Sequence, residues 1–93
     1  MPLSQRVTFQ AVLEKGSRLQ IPKLFRWQFK METDQVLNVT VNVFGYWVNK
    51  EHFLAKMDKQ ARIFVPKLAL SMLAKGHESS LDGSVFEVTL EPA

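Results

Sequence analysis

Cysteine is absent from this sequence of 93 residues, which excludes a disulfide framework and a thiolate metal site. Glycine and proline number only four each, so a collagen-like or low-complexity chain is excluded as well. The sequence has no apolar run near the roughly 20 residues that a membrane-spanning helix needs, and its N-terminal residues do not resemble a secretory signal. We therefore expect a cytoplasmic protein that does not contact a membrane.

The residues that are present indicate a folded chain. Hydrophobic residues make up 46% and charged residues 23%, and the aromatic residues are seven Phe, two Trp and one Tyr. This composition argues against disorder. We expect one domain over residues 1–93, because half of such a chain would bury too little surface to fold alone. The formal charge of +3 and the pI near 9.5 weakly favour an anionic partner.

An internal repeat dominates the sequence. The stretches RLQIPKLFR at 18–26 and RIFVPKLAL at 62–70 have the same Arg, Pro, Lys and Leu positions. Shifting the chain by 44 residues gives seven identities among the 21 positions from 9 to 29. Such a match predicts that the chain contains two copies of one structural unit.

The last part of each copy matches at a different spacing. VLNVTV at 36–41 aligns with VFEVTL at 85–90 at an offset of 49, which places an insertion within residues 74–84. The two repeats are therefore predicted to span residues 6–44 and 50–91.

Each repeat has the sequence pattern of a strand, a short strand, a helix and a closing strand. Pro22 and Pro66 each suit the first turn of a helix, where the missing N–H is not needed, so short helices are predicted within 23–30 and 67–75. The flanking strands alternate apolar and polar residues, which predicts one buried and one solvated face. The alternating apolar sets are Val7, Phe9, Ala11 and Leu13; Val39, Val41 and Val43, opposite Asn38, Thr40 and Asn42; and Phe86, Val88 and Leu90.

A single repeat would leave its strand edges unpaired. Two repeats that pair about a pseudo-twofold axis would cover most edges and enclose both apolar faces. The predicted fold class is mostly β with two short helices: a small, pseudo-twofold, six-stranded barrel built from two ββαβ repeats.

Residues 16–39 resemble the AbrB/SpoVT swapped-hairpin family of DNA-binding domains, whose pattern is Gly-Arg-(Ile/Val)-x-Ile-Pro-x-x-x-Arg followed by Leu and a Gly-Asp-x-Val-x-Val turn and strand. The matching positions are Arg18, Leu19, Ile21, Pro22, Lys23, Arg26, Phe29, Asp34 and Val36 in the first copy, and Arg62, Ile63, Val65, Pro66, Lys67, Leu73, Val85 and Val88 in the second. The chain departs from the pattern at Ser17, which separates Gly16 from Arg18, and at Leu70, which replaces the second arginine.

Ordinary members of that family use two chains that exchange hairpins, whereas here both halves lie in one chain. The sequence is in this respect similar to single-chain cradle-loop barrels, including a small archaeal RIFT-type barrel. The resemblance implies a monomeric cradle-loop barrel with a non-enzymatic, DNA-binding role in transcription regulation. Because other cradle-loop barrels serve translation factors and riboflavin enzymes, the fold alone does not fix the function.

Basic residues are the candidates for contact with double-stranded DNA. By position in the family they are Lys15, Arg18, Lys23 and Arg26 in the first half and Lys59, Arg62 and Lys67 in the second. Residues 15–30 hold five cations, including Lys30, and no acid, so they predict binding that weakens steeply with salt. Alternatively, these side chains are solvated surface cations, and the arginine beside the turn fixes the loop. Residues 45–93 hold six basic and six acidic side chains, so the basic surface is expected to be lopsided.

Catalysis is not predicted. His52 and His77 lack the spacing of a metal site, and the sequence has no nucleophile elbow or phosphate-binding glycine run, so we expect no enzyme activity, cofactor or metal. Tyr46 and Trp47 are expected to seal one end of the barrel or, alternatively, to stack on an unpaired base. Leu24, Trp27 and Leu68 replace residues that are usually polar in the family, which leaves open a protein partner. A small ligand or nucleotide in the cradle loops is the third alternative.

Overall fold

The computed structural model of the chain describes residues 5–33, 35–45, 50–74 and 81–93. Its elements are β1 (Val7–Glu14), β2 (Arg18–Gln20), α1 (Lys23–Gln28), β3 (Leu37–Val43), β4 (Glu51–Ala55), β5 (Arg62–Phe64), α2 (Lys67–Leu73) and β6 (Val85–Pro92). The order strand, strand, helix, strand therefore occurs twice, and the prediction of a mostly β chain with two short helices is confirmed. Within the described residues, no helix is long and apolar enough to cross a membrane.

The six strands form one antiparallel sheet in the order β4-β3-β6-β1-β2-β5. The sheet curls into a half-barrel, and β4 and β5 are its two ends. Our expectation of a closed barrel differs from this arrangement, since no ladder joins β4 to β5 among the described residues. The chain between these strands forms a turn instead, in which the Asp58 N–H donates to the Arg62 carbonyl at 3.0 Å. The Asp58 carboxylate also accepts from the Gln60 and Arg62 N–H groups at 2.8 and 2.9 Å, so local bonds hold this segment in a turn.

The strand registers follow the two sequence offsets. The β2–β5 ladder is centred on Leu19 opposite Ile63, which are 44 residues apart, and the β3–β6 ladder on Thr40 opposite Thr89, which are 49 apart. The same offsets relate the β1–β6 ladder to the β3–β4 ladder. Adding 44 to Phe9 gives Phe53, and subtracting 49 from its partner Val88 gives Val39, which is the residue opposite Phe53. The paired strands are thus related by a twofold exchange of the two halves.

Two hydrogen bonds near the prolines are related to each other by the offset of 44. The Ile21 N–H donates to the Ala61 carbonyl, and the Val65 N–H donates to the Ser17 carbonyl, both at 2.8 Å. Ser17 and Ala61 are also equivalent in backbone conformation, with φ of 62° and 60° in the left-handed region. The turn before each short strand therefore has the same backbone geometry, although neither residue is glycine.

The apolar faces of the strands meet in one core. Alternation predicted this face correctly in β1, where Val7, Phe9 and Leu13 are buried and Ala11 is half-buried, and the prediction is confirmed for β3 and β6. The core also contains Leu19, Ile21, Met31, Leu37, Val39, Val41, Val43, Met57, Ala61, Ile63, Val65, Ala69, Leu73, Leu81, Phe86, Val88 and Leu90. Asn42 differs from the prediction: it lies on the face expected to be solvated but is buried, and its amide donates to the Val43 carbonyl at 3.3 Å.

Both helices end before the predicted limits. In α1, the Lys30 N–H donates to the Trp27 carbonyl and the Met31 N–H to the Arg26 carbonyl, which is the Schellman arrangement that terminates a helix. Lys30 occupies the left-handed position of this motif with φ of 50°, where glycine is usual. The predicted positions Asp34, Tyr46, Trp47 and His77 lie outside the described residues.

Candidate nucleic-acid interface

The outer face of α1 has the densest positive charge that the described residues place on one helix. Lys23, Arg26, Trp27 and Lys30 follow one another at spacings of three, one and three residues, which brings them to the same side of a helix and its C-terminal turn. Together with Leu24 and Met31 they line an open groove of about 690 Å³. The groove therefore combines three cations with an indole and two aliphatic side chains.

Aromatic packing on the opposite side orients this face outward. Phe25 contacts Phe9 of β1 edge to face, with ring centroids 5.4 Å apart, and Phe29 packs against Phe25 in the same way at 5.8 Å. Such pairs prefer this T-shaped geometry. Since Phe25 and Phe29 occupy the core side of the helix, Trp27 is directed away from it and is 79% exposed.

The charge of the groove is not offset by acids within it. All six lining residues are apolar or basic, and no Asp or Glu occurs in the sequence between Glu14 and Glu32. Lys23 and Lys30 are exposed and Arg26 is half-buried. A concave surface lined by one sign of charge concentrates the potential and attracts ions of the opposite sign. The arrangement can bind a polyanion, and its apolar members can contact a flat or apolar group of that ligand.

The predicted residues at the first turn lie apart from the groove lining. Lys15 is exposed in the turn between β1 and β2, and the Arg18 Nε donates to the Lys15 carbonyl at 3.3 Å. The Arg18 guanidinium also lies over Gly16, where its Nε is 3.4 Å from the position that a Cβ would occupy. Arg18 thus fixes the loop, as the alternative interpretation of the sequence expects. The other guanidinium N–H groups of Arg18 do not take part in this hydrogen bond.

The equivalent turn in the second half holds its arginine more firmly. Arg62 Nε donates to Gln20 Oε1 at 3.2 Å and lies 3.5 Å from Glu14 Oε1. Glu14 neutralises much of the charge that Arg62 would offer to a phosphate. Lys59, by contrast, is exposed in the turn.

The α2 face is equivalent in position to the α1 face but lacks most of its basic and aromatic side chains. Lys67 is retained at the start of the helix, whereas Arg26, Trp27 and Lys30 correspond at the offset of 44 to Leu70, Ser71 and Ala74. These four residues line a smaller groove of about 320 Å³ with Leu13, Ser17, Leu81 and Asp82. One cation and one carboxylate leave this second groove without a net positive lining.

Of the seven predicted residues, the structure brings Lys23 and Arg26 together. The other five lie in the two turns, at the first residues of β2 and β5, and in α2. Lys30 and Trp27 complete the groove, although the site prediction did not include Lys30 and assigned Trp27 to a protein partner. Their helical spacing relative to Lys23 and Arg26 was the available signal. The site prediction did not use this signal, because it took its residues from the family pattern, in which Lys30 is not a matching position.

His52 does not contribute to the groove. It is exposed on β4, and its Nδ1 lies 2.9 Å from the Thr40 hydroxyl oxygen. The described ranges contain no group of three His, Cys, Asp or Glu side chains that could hold a metal ion.

Comparison with known proteins gives a fold and no family. The sequence matches no protein-family model and no curated protein. Among solved structures, the chain is similar to PHS018 from Pyrococcus horikoshii, known from a solution structure, with a TM-score of 0.74 and 19% sequence identity. The similarity covers 99% of this chain and 94% of that one. At this identity the likeness shows a common fold over nearly the whole chain.

Proposed function

We propose that this protein is a non-enzymatic nucleic-acid-binding barrel that contacts the phosphate backbone through the outer face of α1. The observation that carries the proposal is the groove in which Lys23, Arg26 and Lys30 surround an exposed Trp27 with no acid in the lining. Cations supply most of the affinity for nucleic acid in sequence-tolerant binding, through release of counterions from the phosphates. A cytoplasmic location and a role in regulating transcription belong to the same proposal.

We further propose that the chain is an internally duplicated cradle-loop barrel related to the AbrB/SpoVT domains. The repeated Arg-x-x-(Ile/Val)-Pro-Lys sequence supports this kinship, as do the registers and the paired hydrogen bonds that the two offsets relate. A dimer contained in one chain is expected to act as a monomer. Because the basic and aromatic groove occurs only in the first half among the residues that the structure describes, contact with two equal half-sites of a palindrome is not expected.

Fluorescence anisotropy with labelled DNA of random sequence, single- and double-stranded, tests the function. Binding is expected at about 20 mM salt, where phosphate attraction is strongest, and should weaken linearly with the logarithm of salt concentration. The double variant Arg26→Gln/Lys30→Gln should bind more weakly and lower the salt slope by about two for duplex DNA, because each phosphate contact contributes close to one.

A matched control removes the same charge elsewhere. Lys50→Gln/Lys56→Gln alters two exposed lysines on either side of β4 and should leave most of the affinity. If neither form of DNA binds at low salt, the proposed function is wrong. Equal losses in the two double variants would show a dependence on net charge alone and would remove α1 as the site.

A protein partner is the second candidate, favoured by the exposure of two equivalent leucines. Leu24 and Leu68 are the second residues of the two helices, and they are 61% and 75% exposed. Exposed apolar groups of this size occur at contact surfaces. If α1 serves a protein partner, Leu24→Asp should abolish association with that partner while DNA affinity is negligible in both the original protein and the variant.

A further inference from the structure

Trp27 is the most exposed of the large hydrophobic side chains that the structure describes. An indole buries more apolar surface than most side chains when it packs, so leaving it in water forgoes a substantial stabilisation. The packing of α1 does not need it, since Phe25 and Phe29 attach the helix to the core. A ligand therefore explains the exposure of Trp27 better than the packing of the helix does.

The surroundings of Trp27 indicate the chemistry of that ligand. Besides the cationic groove, a second depression of about 360 Å³ is lined by Leu24, Trp27, Gln28 and Lys30. Trp27 thus contributes to the walls of two adjoining depressions, and Lys30 borders both. A planar group can approach the indole while a neighbouring anionic group reaches a cation.

The cations are spaced along the helix rather than gathered at one point. Lys23 begins α1 and Lys30 follows its end, seven residues further, which at 1.5 Å per residue is about 10 Å along the axis. Arg26 and Trp27 lie between them. A compact dianion could engage only part of this row, whereas a strand with regularly placed phosphates can engage all of it.

Stacking distinguishes unpaired from paired strands. In a duplex each base already stacks on its neighbours and its flat face is inaccessible from the groove, whereas an unpaired base can leave the stack and lie on an aromatic side chain. Such stacking is tolerant of sequence because every base has a π face. A single indole beside three cations fits this mode better than it fits readout of base edges in a duplex groove.

We propose that the α1 face binds an unpaired nucleic-acid strand, with one base stacked on Trp27 and with Lys23, Arg26 and Lys30 contacting the flanking phosphates. This inference rests on the proposed function and names its substrate class. The deoxy and ribo forms of the strand present the same phosphates and base faces, so both are included in the test.

The experiment uses the intrinsic fluorescence of Trp27. The chain contains two tryptophans, so Trp47→Phe leaves Trp27 as the only indole. Oligothymidylate or oligouridylate of about 12 nucleotides, a length within the usual range of single-strand sites, should quench this fluorescence to saturation. A duplex of the same length should quench it less and bind more weakly.

The affinity of the Trp27→Ala variant for the oligonucleotide separates the contribution of stacking from the contribution of charge. Its affinity for the single strand should fall about 5-fold to 150-fold, the range that loss of one stacked base gives, whereas the salt slope should be unchanged. In the Lys23→Gln variant, by contrast, the salt slope should be lower, while the oligonucleotide should still quench the fluorescence of Trp27. Should Trp47→Phe prove unfolded by circular dichroism, the difference in quenching between the original protein and Trp27→Ala gives the same information.

Three results would overturn the inference. Equal affinity for single strand and duplex, with no loss in Trp27→Ala, would mean that charge alone binds and that the indole takes no part; the proposed function would survive this result. Quenching by polyglutamate as strong as that by the oligonucleotides would assign the face to an acidic peptide. Absence of binding to any nucleic acid at about 20 mM salt would remove the proposed function and the inference together.

Discussion

Lys30 occupies a backbone position that a lysine does not favour. Its φ of 50° places it at the left-handed position of the motif that ends α1. The left-handed conformation costs a residue with a Cβ roughly 1 kcal/mol or more. A strained residue that also carries one of the three groove cations is the pattern expected where function is retained at the expense of stability.

Replacing this lysine by glycine should therefore separate stability from binding. Lys30→Gly is expected to raise the free energy of unfolding by up to about 1 kcal/mol, because glycine adopts this conformation without steric cost although it also frees the unfolded chain. Urea denaturation followed by circular dichroism measures the change. The same variant should lose affinity for nucleic acid.

Lys30→Arg is the control for both effects, since it keeps the charge and the β-carbon. It should leave stability and affinity close to those of the original protein. A less stable Lys30→Gly protein would contradict the argument from strain.

Single-residue environments were the hardest feature to predict from the sequence. Arg18 and Arg62 are equivalent in the repeat, yet Arg62 is held by Glu14 and Gln20 from β1 and β2. Those partners are more than 40 residues away in the chain, so the pattern around Arg62 contains no sign of them. The charge of a residue can be read from the sequence, but whether that charge is already neutralised depends on the tertiary fold.

At the scale of elements, α1 and α2 occupy equivalent positions in the two halves but present different surfaces. Both follow a proline, and both direct apolar residues to the core at equivalent positions, which are the half-buried Phe25 and Phe29 in the first half and the buried Ala69 and Leu73 in the second. The outer face of α1 is basic and aromatic, whereas the equivalent positions in the second half hold Leu70, Ser71 and Ala74, of which Leu70 and Ala74 are half-buried against the core. The helix thus supports the fold in both halves, while the proposed interface occurs in only one.

Transferring the surface of α1 to α2 should create a second binding site. The variant Leu70→Arg/Ser71→Trp/Ala74→Lys, combined with Asp82→Asn, places the missing groups at the equivalent positions and removes the carboxylate from that groove. We expect the stoichiometry of short oligonucleotides to rise from one towards two per chain. Isothermal titration calorimetry measures it, with a thermal melt to establish that the variant is folded.

A folded variant that still binds one oligonucleotide would mean that the helix face is insufficient.

Elements were predicted well where local pattern determines them. Alternation located the long strands, and the prolines located the starts of both helices, because both signals act within a few residues. The end of α1 was predicted two residues too late, at residue 30 instead of Gln28. Glycine normally marks such an end, and the lysine in its place gives no signal in the sequence.

At the scale of the whole molecule, the two halves are interleaved in the sheet. The strands of the second half, β4, β5 and β6, each pair only with strands of the first half in the described ladders. The first half has one ladder of its own, between β1 and β2. Neither half therefore contains the sheet that buries its apolar residues.

This interleaving predicts the behaviour of the separated halves. Peptides of residues 1–44 and 45–93 should each be unfolded alone, because unpaired strands leave backbone groups and apolar faces in water. Mixing them should restore β structure in far-UV circular dichroism, and the intact chain should unfold in a single transition. A folded second half alone, or two separate transitions, would contradict the interleaved sheet.

The whole-molecule topology was predicted in part. Two offsets in the sequence are enough to relate the registers of the halves, since equivalent sequences adopt equivalent pairings. The lack of a ladder between β4 and β5 among the described residues was not predicted, because it depends on where strand pairing stops. There the Asp58 carboxylate bonds to the backbone of its own turn, and β4 ends at Ala55.

The central claim is that nucleic acid binds at the α1 face and that its equivalent on α2 is inactive. Amide chemical shifts of the isotope-labelled protein, titrated with a short oligothymidylate at about 20 mM salt, test this most directly. The account predicts that the largest changes fall within residues 23–31 and that residues 67–74 change little. Changes centred on α2 or on the exposed edge of β4, or spread evenly over the surface, would contradict it.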